Sequence, residues 1–476
     1  MLFVANVGSM LCTFALLAYF SRTMSESFYG EFRQMLLVIV FANAVLPLGY
    51  PLTLLQHTSI TPSRNQALTS VFIIQIGICL VWLAVALPLN GYLAGSVFNI
   101  SDPAVMHWVV LTVLVNILAT IIYPAFILAG AYFSAGVYTV CSLLIPSVGI
   151  ATAYIVHPDL ETMFFVYFVS SVITFVVFFG WAIWRTKSQP ERPDPGILRS
   201  IFGFGLRLGS SSIFGTGQRY LDKFYVATIC SSATFAVYAN GSQEPPLVGA
   251  LQRSINSVLI PEMAKLLTEG QASRARKIWS GAVIKSHAIL FPGALFLAVN
   301  AALTIITIFG ENYRESQYIF LLFTILIPLR AISFGAVLIA AGNVQTVFRT
   351  SLAGFFATLV FAPVGIFLFG YIGAAAAHVL ITLLIIIPWL TKAIMKVYKC
   401  DLSNLLPWNK ISQVCLLSLI AVGTSMLWPG DLLRLPALNL AARLAIAGLI
   451  LLPLYWRLGY LKDMNFSMQS KKDVHS

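Results

Sequence analysis

Within GTGQRYLDKFYVA, residues 215–227, Arg219, Asp222 and Lys223 interrupt a chain that is apolar for a helix length on either side. Two cations and one carboxylate in such a place can do two kinds of chemistry. Arg and Lys attract anionic groups such as phosphates, and do so strongly where the dielectric is low. The carboxylate can hold a proton or a small cation. The spacing also offers a local explanation. Arg219 and Asp222 are three apart and can pair on one helix face. Lys223, four residues from Arg219, shares that face and leaves one positive charge over. A cavity lining that holds an anion and a structural ion pair both stay open at this point.

Further charges lie inside apolar runs: Arg207, Arg253, Arg330, Arg443 and Glu244, with His378 as a titratable neighbour. A charged side chain at the centre of a bilayer costs about 2.5–3.5 kcal/mol on insertion scales, so these groups should face protein or a wet cavity. Arg207, Arg253 and Arg330 fall toward the inner ends of their runs and can also snorkel to the interface. The candidate anion-binding residues are therefore Arg219, Lys223, Arg207, Arg253 and Arg330. Asp222 and Glu244 are the candidate coupling or structural carboxylates. Embedded cations outnumber embedded carboxylates six to two, which favours an anionic cargo over a cationic one.

Glu244 sits in NGSQEPPLVG, residues 240–249. Each of the two prolines that follow removes an amide donor and clashes with the preceding turn. The residue before a proline is pushed out of helical geometry as well. A broken helix is expected here, with free carbonyls beside a carboxylate. Such backbone survives at membrane depth only within protein or along a wet cavity.

The elements that must position these groups are spanning helices. Of the 476 residues 59% are hydrophobic and only 10% charged, with a mean hydropathy of +0.87. A soluble domain carries about 25% charged residues, so this chain must be solvated by lipid. Fourteen apolar runs are long enough to serve as spans: 2–20, 35–56, 67–89, 105–128, 134–155, 162–184, 201–229, 235–259, 283–309, 317–340, 346–369, 371–391, 411–428 and 436–456. With the N-terminus inside, nineteen Lys and Arg fall in inner connections and four (Arg22, Arg33, Arg314, Arg434) in outer ones. That asymmetry follows the positive-inside rule and puts both termini in the cytoplasm. It also accounts for the basic balance of the chain without nucleic acid.

The segment 185–200 is rich in proline and charge and divides the chain after six spans. The layout is an N-terminal six-helix lobe over 1–184, a cytoplasmic linker over 185–200 and a second six-helix lobe over 201–391. Two additional helices over 392–456 and a cytoplasmic tail over 457–476 follow. SRTMSESFYGEF (21–32) and SSATFAVYANGS (231–242) look like a weak repeat, with Tyr29 and Tyr238 at matching places. A short interfacial helix is expected within 262–286, with Leu266, Ile278 and Trp279 toward lipid.

Enzyme chemistry lacks its usual marks. The histidines have no metal-ligand spacing, and there is no P-loop, nucleophile elbow or CxxC. Cys12, Cys79, Cys141, Cys230, Cys400 and Cys415 are too scattered for a disulfide framework. No outer connection is long enough for a substrate domain. Neither metal nor organic cofactor is expected, and the chain reads as a carrier rather than an enzyme.

LDKFYVATICSSATFAVYANGSQEPPLVGALQRSINSVLIPEMAKL, residues 221–266, resembles the polysaccharide and O-antigen (Wzx-type) flippases of the multidrug/oligosaccharidyl-lipid/polysaccharide exporter superfamily. Asp222 matches the family's Asp at the end of the seventh helix, Tyr238 its Tyr and Pro261 its Pro. In the first half, Arg22, Tyr29 and Gly30 match the family's opening. The paired prolines beside Glu244 depart from the pattern, and span 1 begins without the family's usual lead-in.

The resemblance implies an all-α polytopic fold, two six-helix lobes and two extra helices, in a bacterial cytoplasmic (inner) membrane. It implies polyprenyl-pyrophosphate-linked oligosaccharide as cargo, moved outward by alternating access for O-antigen, capsule or exopolysaccharide synthesis. Membrane potential, H+ or Na+ would supply the drive, and polysaccharide polymerase and other assembly proteins would be the partners. Ser210, Ser211, Gln218, Asn240 and Gln243 would then be available to sugar hydroxyls. The competing readings are a drug/cation antiporter of the same superfamily and a membrane-embedded polysaccharide polymerase or ligase.

Overall fold

The computed structural model describes residues 2–57, 64–186, 191–192 and 194–460; the side chains of 2–7, 9, 52, 55–57, 64, 207–208 and 210–212 lie outside that description. The described residues form helices and connections, with no strand among them. In chain order these are α1 (Leu2–Thr23), α2 (Glu26–Val45), α3 (Tyr50–His57), α4 (Arg64–Tyr92), α5 (Val105–Ala119), α6 (Ile122–Leu128), α7 (Tyr132–Val156), α8 (Leu160–Thr186) and α9 (Pro195–Ile229). After them come α10 (Ser232–Gly241), α11 (Pro246–Thr268), α12 (Ala272–Val299), α13 (Ala301–Phe309), α14 (Ser316–Thr324), α15 (Ile327–Arg330) and α16 (Phe334–Ala340). The last are α17 (Val344–Ile381), α18 (Ile387–Tyr398), α19 (Leu402–Leu405), α20 (Trp408–Ser425) and α21 (Pro436–Arg457).

Nine of the described helical segments are long and apolar enough to cross a membrane. Their outward faces are apolar as well: Val81, Trp184, Phe367, Leu384 and Leu449 are each more than 60% exposed. Surface of that kind in quantity belongs against lipid rather than water. The protein is an all-α, multi-pass membrane protein. Several expected spans fall short of the nine because charges or breaks interrupt them; α9, for example, carries Arg207, Arg219, Asp222 and Lys223.

The chain divides into two compact units, 1–239 with 348–382, and 240–347 with 383–476. In the first unit α5 packs on α4 and α8, α7 packs on α1 and α8, and α9 packs on α2, α3 and α4. Local chemistry sets where these helices begin. Ser25 accepts from the Phe28 amide and starts α2 well before the apolar run at 35. Its hydroxyl satisfies one of the donors that a helix start leaves unpaired. Arg33, expected in an outer connection, therefore lies inside α2 and is 8% exposed. Asp194 caps α9 in the same way, accepting from Gly196 N at 2.9 Å with Pro195 in the first turn. The inner end of the second expected span is not one helix. Leu48 (φ 50°) and Gly49 (φ 71°) turn the backbone between α2 and α3. The GxxxG pair of α9 meets that turn, for a Cβ on Gly209 would strike the Leu48 carbonyl and one on Gly205 would meet the Tyr50 ring.

In α17 the backbone turns back at Phe369 and Gly370, the latter at φ 60°. That is the boundary expected between the spans 346–369 and 371–391. A left-handed residue costs glycine nothing and other residues about 1 kcal/mol or more. The two limbs then lie so close that a Cβ on Gly373 would overlap the Gly365 carbonyl.

In the second unit α12 packs on α11 and α20, and α20 on α21. Here one expectation is corrected. Trp279 does not face lipid: it is fully buried, its Nε1 donates to the Ile332 carbonyl at 2.8 Å, and its ring stacks on Tyr398 at 5.6 Å. Leu266 is buried in the same core, with Met263, Ala275, Ile394 and Leu405. Helix α11 runs on to Thr268 and α12 starts at Ala272, so the segment 262–286 consists of two core helix ends joined at a tight turn with Gly270 at φ 75°. Periodicity alone does not tell a lipid-facing stripe from a core-facing one, because both are apolar.

Candidate functional site

Helix α9 delivers Asp222 to the interior of the first unit, where it is 0% exposed. Three groups surround its carboxylate. Tyr238 of α10, also fully buried, donates its hydroxyl to Oδ2 at 2.6 Å. Lys223 Nζ stands 3.8 Å from the same oxygen. His378, on the second limb of α17, brings Nδ1 to 3.8 Å from Oδ1. Oδ1 accepts no hydrogen bond among the described residues. A buried carboxylate is costly unless it is paired and hydrogen-bonded; here a short O–H···O bond and a nearby ammonium share that task.

Packing brings the three helices together. Gly217 of α9 leaves room for the Phe355 ring of α17, into which a Cβ would run at 2.7 Å. Tyr225 Oη donates to the Leu359 carbonyl at 3.1 Å and ties the first limb of α17 to α9. The turn at Gly370 then carries the second limb back, so that His378 reaches Asp222. The charge left over on Lys223 is accommodated too. Its Nζ donates to the Arg219 carbonyl at 3.4 Å and lies 5.8 Å from the Tyr220 ring centroid. The Arg219 guanidinium is exposed and donates to Thr216 Oγ1 at 3.3 Å. Lys223 thus belongs to the carboxylate, while Arg219 presents its charge outward.

The side chains of Arg207, Ser210 and Ser211 lie outside the described residues. Gln218 and Asn240 are buried, at 8% and 0% exposed.

In the second unit the broken helix is present: α10 ends at Gly241, α11 begins at Pro246, and the residues between them are not helical. Glu244 lies in that break, its carboxylate 3.4 Å from the Arg330 guanidinium, with the two side chains 40% and 38% exposed. Arg253 is exposed on α11, one turn beyond Gly249. An exposed pair of this kind is worth at most about 1 kcal/mol. The Glu244–Arg330 contact therefore leaves both groups available to exchange partners.

Two polar residues of α2 are functional candidates that spacing did not single out. Arg33 donates to Tyr29 Oη at 2.9 Å and to the Ala239 carbonyl at 3.1 Å. Gln34, fully buried, donates to the Ala227 carbonyl at 2.8 Å. The available signal was Ser25 followed by Glu26, which marks a helix start and moves Arg33 from a connection into a helix.

Three comparisons bear on this arrangement. A family model described as "Polysaccharide biosynthesis protein" matches residues 19–318. The chain is 22% identical to the capsular polysaccharide biosynthesis protein CapF of Staphylococcus aureus, across 79% of this chain and 93% of that one. Among solved structures it resembles the lipid II flippase MurJ in an inward closed conformation, with a TM-score of 0.74, 13% identity, and 96% and 98% of the two chains covered. It also resembles an inward-facing multidrug resistance MATE family transporter of the MOP superfamily, with a TM-score of 0.67, 12% identity, and 82% and 96% covered. A MOP superfamily transporter from Pyrococcus furiosus, described as having a binding pocket of reversed polarity, matches at a TM-score of 0.61, 12% identity, and 84% and 96% covered.

Proposed function

This chain belongs to the polysaccharide biosynthesis protein family, and we propose that within it the protein is a flippase for a polyprenyl-pyrophosphate-linked oligosaccharide. The observation that carries the proposal is a family match over most of the chain joined to a flippase-like fold. The excess of embedded cations suits a pyrophosphate. Arg219 is the first candidate, because its guanidinium is exposed while Lys223 is engaged with Asp222. Arg253 and Arg330 offer further charge in the second unit, and the Glu244 carboxylate can release Arg330 when an anion competes for it. The lipid tail stays in the bilayer throughout.

In this proposal the lobes 1–184 and 201–391 alternate access to the two faces of a bacterial cytoplasmic membrane. Two drives are compatible with the residues. Moving one unit charge through 100 mV is worth about 2.3 kcal/mol. A negative interior favours outward pyrophosphate and inward return of an empty cationic cavity. The alternative drive is ion exchange at Asp222, where a proton or Na+ would compete with Tyr238, Lys223 and His378 for the carboxylate. The fold is shared with multidrug transporters, so a drug/cation antiporter is the second reading; the buried carboxylate of Asp222 is the observation in its favour.

The experiment is lipid extraction from a strain lacking the protein. Completed oligosaccharide on polyprenyl pyrophosphate is expected to accumulate on the cytoplasmic face. The wild-type gene should clear it, and an Arg219→Ala copy should clear it at least about tenfold more slowly, as loss of a charged hydrogen bond implies. Accumulation on the outer face would instead indicate a polymerase or ligase. Sensitivity to cationic drugs without accumulation would indicate an antiporter.

A further inference from the structure

The last turn of a helix leaves four carbonyls without amide partners. Helix α9 ends at Ile229, so Ala227 O is one of these. Helix α10 ends at Gly241, and the Gln243 amide, which a continued helix would aim at Ala239 O, donates to Asn240 O instead at 3.3 Å. The side chains that reach these two carbonyls come from adjacent residues of α2. Gln34 donates to Ala227 O at 2.8 Å, and Arg33 donates to Ala239 O at 3.1 Å. Gly30, one turn earlier on α2, lies against α10 so closely that a Cβ there would overlap the Ser232 carbonyl. The carbonyl ends of helices carry partial negative charge, which suits a guanidinium.

From these contacts we infer that residues 30–34 of α2 form a latch on the ends of α9 and α10, with Tyr238 as the relay that reports the state of Asp222 to it. The relay is short. Tyr238 precedes Ala239 in the chain, and its hydroxyl is held by Asp222 at 2.6 Å while the Ala239 carbonyl is held by Arg33. Tyr29 Oη accepts from Arg33 at 2.9 Å and fixes the guanidinium in place. A change at the Asp222 carboxylate that releases or reorients Tyr238 moves the turn of α10 on which Arg33 holds. Helix α2, helix α9 and α10 as far as Ala239 all belong to the first compact unit. Opening the latch therefore loosens α2 from α9 and α10 within that unit and exposes Ala239 toward the outer side, on the orientation read from the loop charges. Arg33 and Gln34 are gating residues in this proposal and touch no cargo. The inference rests on the alternating-access reading, but its test needs no cargo.

The test uses the full-length protein in membranes with its native cysteines replaced and a single Ala239→Cys reporter. That side chain is 4% exposed and the substitution keeps the carbonyl that Arg33 holds. The reporter should react slowly with a membrane-impermeant maleimide added from outside. Arg33→Ala should raise the rate about tenfold or more, since a charged hydrogen bond is lost. Tyr238→Phe should raise it in the same direction although Arg33 is intact, and Arg33→Lys should fall between. If Arg33→Ala does not fold, Gln34→Leu supplies the same comparison at the α9 end. Reporter rates that stay at the wild-type level in folded Arg33→Ala and Gln34→Leu proteins would overturn the latch. A change with the Arg33 variants and none with Tyr238→Phe would overturn the relay. Loss of the flippase reading would show separately, as failure of the lipid to accumulate.

Discussion

An Asp222→Ala variant is expected to lose transport by more than about a hundredfold while still reaching the membrane. Removing one member of a buried charge pair costs about 3–5 kcal/mol where the partner is fully buried. Lys223 is 18% exposed and keeps the Arg219 carbonyl, so the stability loss should fall below that range. The transport loss has another origin. Without the carboxylate, Tyr238 loses its 2.6 Å partner and nothing remains opposite His378 to exchange an ion. Asp222→Asn separates the two roles. The amide keeps an oxygen for the Tyr238 hydroxyl, so folding should stay close to wild type, but the negative charge is gone. Full transport by Asp222→Asn, measured as clearance of the inner-leaflet lipid, would remove Asp222 from the coupling step.

The second large effect is on stability. Trp279→Ala is expected to destabilise the second unit by about 3–5 kcal/mol, the usual range for deleting a buried aromatic ring. The ring lies in a core with Met263, Leu266, Ala275 and Tyr398, and its indole N–H is the partner of the Ile332 carbonyl. Trp279→Phe keeps a ring for stacking and loses mainly the hydrogen bond, so its cost should be nearer about 1 kcal/mol. Thermal unfolding of the two purified variants in detergent measures both. Unchanged thermal stability of Trp279→Ala would mean that the side chain meets lipid instead.

Trp279 also shows how far the sequence could be read. Composition and run length were enough for an all-helical membrane protein, and paired prolines were enough for the break at 242–245. The boundary between the spans 346–369 and 371–391 fell on the turn, although the φ of Gly370, which glycine adopts easily, is visible only in the structure. Which way an apolar residue faces was not legible, since lipid and protein interior select the same side chains. The positive charge left over at Lys223 was legible as a problem but not in its solution. A backbone carbonyl and a carboxylate divide the lysine between them, and backbone partners leave no trace in spacing. Arg33 was misplaced for a related reason. A polar stretch after a span resembles a loop, while the cap at Ser25 starts a helix there and buries the guanidinium on the carbonyl of Ala239, about 200 positions away.

Transport by the purified protein in sealed vesicles tests the central claim most directly. A polyprenyl-pyrophosphate-linked oligosaccharide would be placed in the leaflet equivalent to the cytoplasmic one, with an imposed membrane potential, an H+ gradient or an Na+ gradient. The sugar is expected to appear in the opposite leaflet, faster under at least one of these gradients, and Asp222→Ala should not support its transfer. Equal rates in protein-free vesicles, or rates in protein-containing vesicles that ignore all three gradients, would contradict it.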